Sequence, residues 1–110
     1  MENLNNVLQN ISQKQNGNVK FPIIEKREFL ETHIDMLDLD MRSSNVLMRN
    51  KIHNVQGILN NIKILPQLKG CGIKTTNRIL YKICAYYYAT LSEKDKKTYL
   101  EKIKTLNERD

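Results

Sequence analysis

No apolar run in this chain approaches the ~20 residues needed to cross a bilayer, so no membrane partner is expected. The start, Met1-Glu2-Asn3-Leu4-Asn5-Asn6, lacks a basic region followed by an apolar stretch, and no secretory signal is expected. Cysteine is scarce: Cys71 and Cys84 are the only two. Neither has His or Cys neighbours at ligand spacing, so no metal site is expected, and both suit a reducing compartment as small buried residues. His33 and His53 have no carboxylate or nucleophile at motif spacing, which argues against histidine catalysis. The most telling lack is of negative charge. From Arg42 to Lys82 there is no Asp or Glu at all.

That acid-free segment carries Arg42, Arg49, Lys51, Lys63, Lys69, Lys74, Arg78 and Lys82, a charge of +8 within a protein whose net charge is +6. The other ten Lys and Arg face all twelve acids, which leaves the flanks at −2. A basic middle between acidic ends is the electrostatic footprint of a polyanion binder, nucleic acid first. A lysine-rich surface without a partner is the bland alternative. A length of 110 residues is that of one small domain with a tail.

Within the basic segment lies Leu68-Lys69-Gly70-Cys71-Gly72-Ile73-Lys74-Thr75-Thr76. Two glycines one residue apart allow positive φ and a tight turn. A helix-forming run follows, so the turn delivers a helix N-terminus whose free N–H groups and dipole attract an anion, usually phosphate. Lys74 and Thr75 add a cation and a hydroxyl in the first turn. A tight helix–helix connection with nothing bound is the other reading of the same turn.

Taken in order, the sequence predicts helices almost throughout. Leu4, Val7, Leu8 and Ile11 recur at helical spacing, and Gln15-Asn16-Gly17-Asn18 breaks that run. Pro22 argues for an extended start to the next region, and Glu25 to Asp35 reads as a short helix with Phe29, Leu30 and Ile34 inward. Asp40 is a good N-cap for a helix over 41–50 that buries Val46 and Leu47. Arg42 and Asn45 share its exposed N-terminal face, with Arg49 a further turn on. A second short helix over 53–62 turns Val55, Ile58, Leu59 and Ile62 inward, and Pro66 marks a brief connection. After the glycines a helix runs over 73–90, burying Ile79, Leu80, Ile83 and Tyr87, with Lys74, Arg78 and Lys82 as a basic stripe. Tyr86-Tyr87-Tyr88 reads as core edge. Ser92 with Asp95 resembles a capping box, opening a last helix with Tyr99, Leu100, Ile103 and Leu106 inward and an end near Asn107. The expected fold is all-α, a compact bundle of about five short helices. Residues 1–33 form an extension and 34–110 the domain, closed by the last helix.

Two features stand in sequence: Leu37-x-Leu39-x-x-Arg42-Ser43-x-Asn45-x-Leu47 with Ile52, and downstream Leu68-x-x-Cys71-Gly72-x-Lys74-Thr75. The pairing resembles the C-terminal domain of the bacterial RNA polymerase alpha subunit, over 34–83. The resemblance implies an all-helical, non-catalytic domain with a helix-hairpin-helix-like core, working in transcription without a cofactor. It implies double-stranded, A/T-rich DNA as partner, together with polymerase subunits or regulators, and a cytoplasmic, nucleoid-associated place in a bacterial cell. By motif position it makes Arg42 the minor-groove residue and Asn45 its neighbour at the groove edge. Gly72, Lys74 and Thr75 become backbone-phosphate contacts. A narrow A/T groove concentrates negative potential, which favours an inserted arginine without a base code.

There are departures. Val46 stands where the family commonly has a small residue and Gln67 where a basic one is usual. The connection over 60–66 is slightly shorter. Arg78 stands where an acid is frequent, which adds a cation to the expected DNA site and puts activator or sigma contacts in doubt. The alpha subunit's assembly domain has no counterpart here, so a freestanding relative or a divergent fragment is expected. A protein-interaction module that docks on polymerase or a regulator without touching DNA is the alternative, motivated by the acidic, amphipathic flanks. A nuclease is the remote third: Asp35, Asp38 and Asp40 are the only close acids and read better as a helix lead-in and cap.

Overall fold

The computed structural model describes residues 3–14, 19–22 and 24–108. Among them are six α-helices: α1 (Leu4–Lys14), α2 (Arg27–Leu30), α3 (Met41–Arg49), α4 (Val55–Asn60), α5 (Gly72–Ala89) and α6 (Glu93–Asn107), with 3-10 turns at Ile34–Leu37 and Leu65–Gln67. No strand occurs among the described residues, only an isolated antiparallel bridge between His33 and Asn54. The fold is all-α, as the periodicity requires. The expected breaker over 15–18 lies outside the described residues. Two compact units make up the protein, one formed by Ile24–Tyr86 and the other by Met1–Ile23 with Tyr87–Asp110.

In the Ile24–Tyr86 unit, polar side chains cap the N-termini of the short helices. The Asp40 carboxylate accepts from Ser43 N–H at 2.7 Å, and Asn54 Oδ1 accepts from Gly57 N–H at 2.8 Å. Each cap satisfies a donor the helix cannot. α3 ends in a paired C-terminal turn: Lys51 N–H donates to Met48 O at 3.1 Å, Ile52 N–H to Leu47 O at 2.9 Å, and Lys51 takes a φ of 59°. That 5→2 and 6→1 pattern reverses the backbone and sends Ile52 into the core. Ile34 N–H donates to His53 O at 2.9 Å and Val55 N–H to Thr32 O at 3.0 Å, which ties the segment leading into the first 3-10 turn to the start of α4. Beneath these ties lies an aliphatic core: Ile34, Leu37, Val46, Leu47, Ile58 and Ile79 are at most 2% exposed. Cys71 and Cys84 are both buried, as expected.

Three expectations need correction. The helix over 53–62 is shorter, because α4 stops at Asn60 and Asn61 caps it with its amide on Gly57 O at 2.8 Å. The helical register is lost there, and Ile62 is exposed. The region 25–35 is interrupted: α2 ends at Leu30 and a 3-10 turn follows from Ile34. In α6, Leu106 is 42% exposed and Asn107 takes the buried place, at 6%.

That last exchange explains the other unit, where α1 packs on α6. Asn107 accepts from Lys20 N–H at 2.8 Å and donates to Lys20 O at 2.8 Å, while also donating to Ile103 O at 2.8 Å. An amide that closes both backbone groups of a distant residue is worth burying, because those groups would otherwise go unpaired. Ser92 Oγ caps α6 by accepting from Asp95 N–H at 3.2 Å. Leu4, Val7 and Leu8 are buried, as their spacing predicts. Tyr99 packs edge-to-face with Tyr87 at a centroid distance of 5.3 Å and at a tilt against Tyr88 at 6.4 Å, and Lys96 Nζ lies 5.5 Å over the Tyr88 ring. The tyrosines are thus packing residues at a core edge.

Candidate nucleic-acid interface

The candidate residues lie on α3 and at the start of α5, both in the Ile24–Tyr86 unit. At α5 both glycines adopt the left-handed region, Gly70 with φ 83° and Gly72 with φ 67°. No acid lies in the first turn of α5, and Ile73 and Lys74 are exposed there. Thr76 Oγ1 donates to Gly72 O at 2.8 Å and lies 3.3 Å from Cys71 Sγ, which braces the turn from beneath. At Gly72 a β-carbon would meet nothing within 4 Å, so the backbone there stands open.

α3 presents the other half. Its N-terminal face carries Met41, Arg42 and Asn45, all outside the core, while Ser43, Val46 and Leu47 are buried. Asp40 closes the helix start with its own carboxylate. The Ser43 N–H above all, with the Arg78 guanidinium adding to it, holds the Asp40 carboxyl below its ordinary value near 3.8.

The two halves are joined. A β-carbon at Gly70 would lie 3.6 Å from Val46 Cγ2 and 3.7 Å from a terminal nitrogen of Arg49, so the glycine turn rests against the last turns of α3. At the other end of α3, Arg78 Nη1 lies 3.3 Å from Asp40 Oδ2, and Lys82 Nζ lies 3.7 Å from Asp38 Oδ2. The opening turns of α5 therefore run antiparallel to α3. Asp38 sits in the left-handed region at φ 55°, a conformation that short polar side chains tolerate.

The residues singled out from sequence separate on this geometry. Arg42, Asn45, Gly72 and Lys74 lie outside the core, and among the described residues no acidic partner is found for Arg42 or Lys74. Thr75 is only 4% exposed, which leaves its hydroxyl little access to a ligand. Arg78 lies at the surface and is paired with Asp40. Arg49 was not among them, although its spacing of seven from Arg42 placed it on the same helix face. Asp35, Asp38 and Asp40 do not form a metal-holding group: the Asp35 N–H donates to His33 Nδ1 at 3.1 Å, and the other two carboxylates pair with the cations of α5. Among the described residues, no group of three His, Cys, Asp or Glu is placed to hold a metal ion. No helix among them is long and apolar enough to cross a membrane.

Together these features define a small helical module with a glycine-opened helix start set against a second helix that bears free cations. The family model for the C-terminal domain of the bacterial RNA polymerase alpha subunit matches residues 23–83, more than half of the protein. The protein belongs to that family. No curated protein and no solved structure matches it. The family's domain is non-catalytic, and its role lies in transcription, in contact with DNA and with RNA polymerase or transcription factors.

Proposed function

We propose that the Ile24–Tyr86 unit grips double-stranded DNA at the minor groove of A/T-rich sequence, as a non-catalytic component of bacterial transcription. Arg42 enters the groove, where the negative potential of a narrow A/T tract attracts a guanidinium. Asn45, one turn on, lies at the groove edge. The open backbone at Gly72 and the Lys74 ammonium take a phosphate, the anion suited to a helix N-terminus with no acid of its own. Thr75, only 4% exposed, is the covered member of that turn. The observation that carries this reading is the joining of the two halves: Gly70 packs on Val46 and Arg49, which sets the anion-seeking turn beside the arginine-bearing helix.

The reading is tested by titrating A/T-rich and G/C-rich duplexes at several salt concentrations. Affinity for the A/T-rich duplex falls linearly on a log–log plot, with a slope of roughly −0.9 per phosphate contact. Arg42→Ala weakens binding by about 1–3 kcal/mol and narrows the gap between the two duplexes. Absence of binding at low salt, together with recovery of a polymerase subunit from nuclease-treated lysate, would favour the docking module instead.

A further inference from the structure

The basic surface is not uniformly free. Of the cations in the acid-free segment, Arg78 and Lys82 are answered by Asp40 and Asp38, which lie just outside it in sequence and against α5 in space. Arg42, Arg49 and Lys74 have no acidic side chain within ion-pair distance among the described residues, and all three are exposed. Arg49 is also the cation that the fold brings to the glycine turn, with a terminal nitrogen 3.7 Å from where a Gly70 β-carbon would lie.

We infer that Arg49 supplies the backbone-phosphate contact of the α3 face, and that Arg78 is withdrawn from the DNA by Asp40 and serves as a positioning residue. This rests on the DNA-binding reading above. Arg42 and Arg49 lie seven residues apart on one helix face, about 10 Å along the axis at 1.5 Å per residue. The minor groove is about 6 Å wide. With Arg42 in the groove, a cation that far along the helix meets the flanking sugar–phosphate strand rather than the groove floor. Its guanidinium offers a planar fork that matches phosphate. Arg78 meets the opposite circumstance. Its charge is neutralised by a carboxylate that is already committed to capping α3, so the pair fixes the start of α3 against α5 and adds no net charge to the surface. Asp38 does the same for Lys82.

The test is the salt dependence of duplex affinity, measured for the whole protein with an A/T-rich duplex. Folding of each variant is checked by its helical circular dichroism and melting. Arg49→Ala lowers the slope magnitude by about one, the signature of one lost phosphate contact, and Arg49→Lys restores most of it. Arg78→Ala leaves the slope in place. Asp40→Asn preserves the cap, because asparagine caps as well as aspartate, but frees Arg78. The slope then steepens by about one, which a purely structural role for Asp40 would not produce. Binding by the parent protein with the slope lost in Arg78→Ala and kept in Arg49→Ala would overturn the inference alone. A parent protein that does not bind the duplex at low salt would overturn the DNA-binding reading, and this with it.

Discussion

The helix starts of α3 and α5 belong to one unit and end in opposite chemistry. α3 begins at Asp40, whose carboxylate fills the helix's own need for an acceptor, at 2.7 Å from Ser43 N–H. α5 begins at a glycine pair with positive φ and no acid in its first turn. One N-terminus is closed by the protein's own carboxylate, and the other has no acidic side chain in its first turn. The closed end holds the frame, since Asp40 also receives Arg78 from α5. The open end is the one proposed to bind. A capping carboxylate and a bound anion are therefore alternative ways to answer the same four orphan N–H groups.

The most drastic way to break this pairing is to hollow out the buried face of α5. Ile79 is 0% exposed on α5, and Ile79→Ala is expected to cost about 2–5 kcal/mol in stability through lost burial and a residual cavity. Urea denaturation reads it as a fall in midpoint at unchanged m. The open end is next. Gly72→Ala meets no clash, since nothing lies within 4 Å, but it forces a methyl group onto a backbone at φ 67°. It should cost about 1–2 kcal/mol from backbone conformation alone, seen in the same denaturation series.

The closed end should yield the least. Asp40→Ala is expected to cost about 1 kcal/mol, as for other lost N-caps. Its pH dependence carries the sign. The folded-state pKa of Asp40 lies below its ordinary value near 3.8, so the carboxylate's contribution is present above that pH. It is lost as the pH falls through the depressed folded value. Asp40→Asn keeps the cap and removes this acid-side loss. Thermal melts of the parent should therefore lie above those of Asp40→Asn by a constant margin near neutrality, the contribution of the charge, and that margin should close as the pH falls through the depressed folded value.

What the sequence revealed follows the range of the interactions. Asp40 and Ser92 were legible as caps because each bonds a group three residues away. The two glycines were legible because only glycine adopts such φ values freely. Interactions over long separations were not. Arg78 finds Asp40 across 38 positions and Asn107 finds Lys20 across 87, and no local pattern announces either. The first of these turns a residue that looked like a free cation into half of an ion pair. The second puts a polar residue where the periodicity of α6 required Leu106. Ile62 misled for a related reason: its apolar spacing continued past Asn60, but the Asn61 amide ended the helix first. For the site itself, Arg42, Asn45 and Lys74 were readable as exposed polar residues at helix starts. Arg49 gave only its spacing, and its nearness to Gly70 depends on how α3 and the turn pack.

The most direct test of a two-part site is to record backbone amide resonances while an A/T-rich duplex is added. Shifts concentrated at Gly70 to Lys74 and along the Arg42, Asn45 and Arg49 face of α3, with α6 unmoved, are the predicted result. Shifts centred on α6, or none at saturating duplex and low salt, would contradict it.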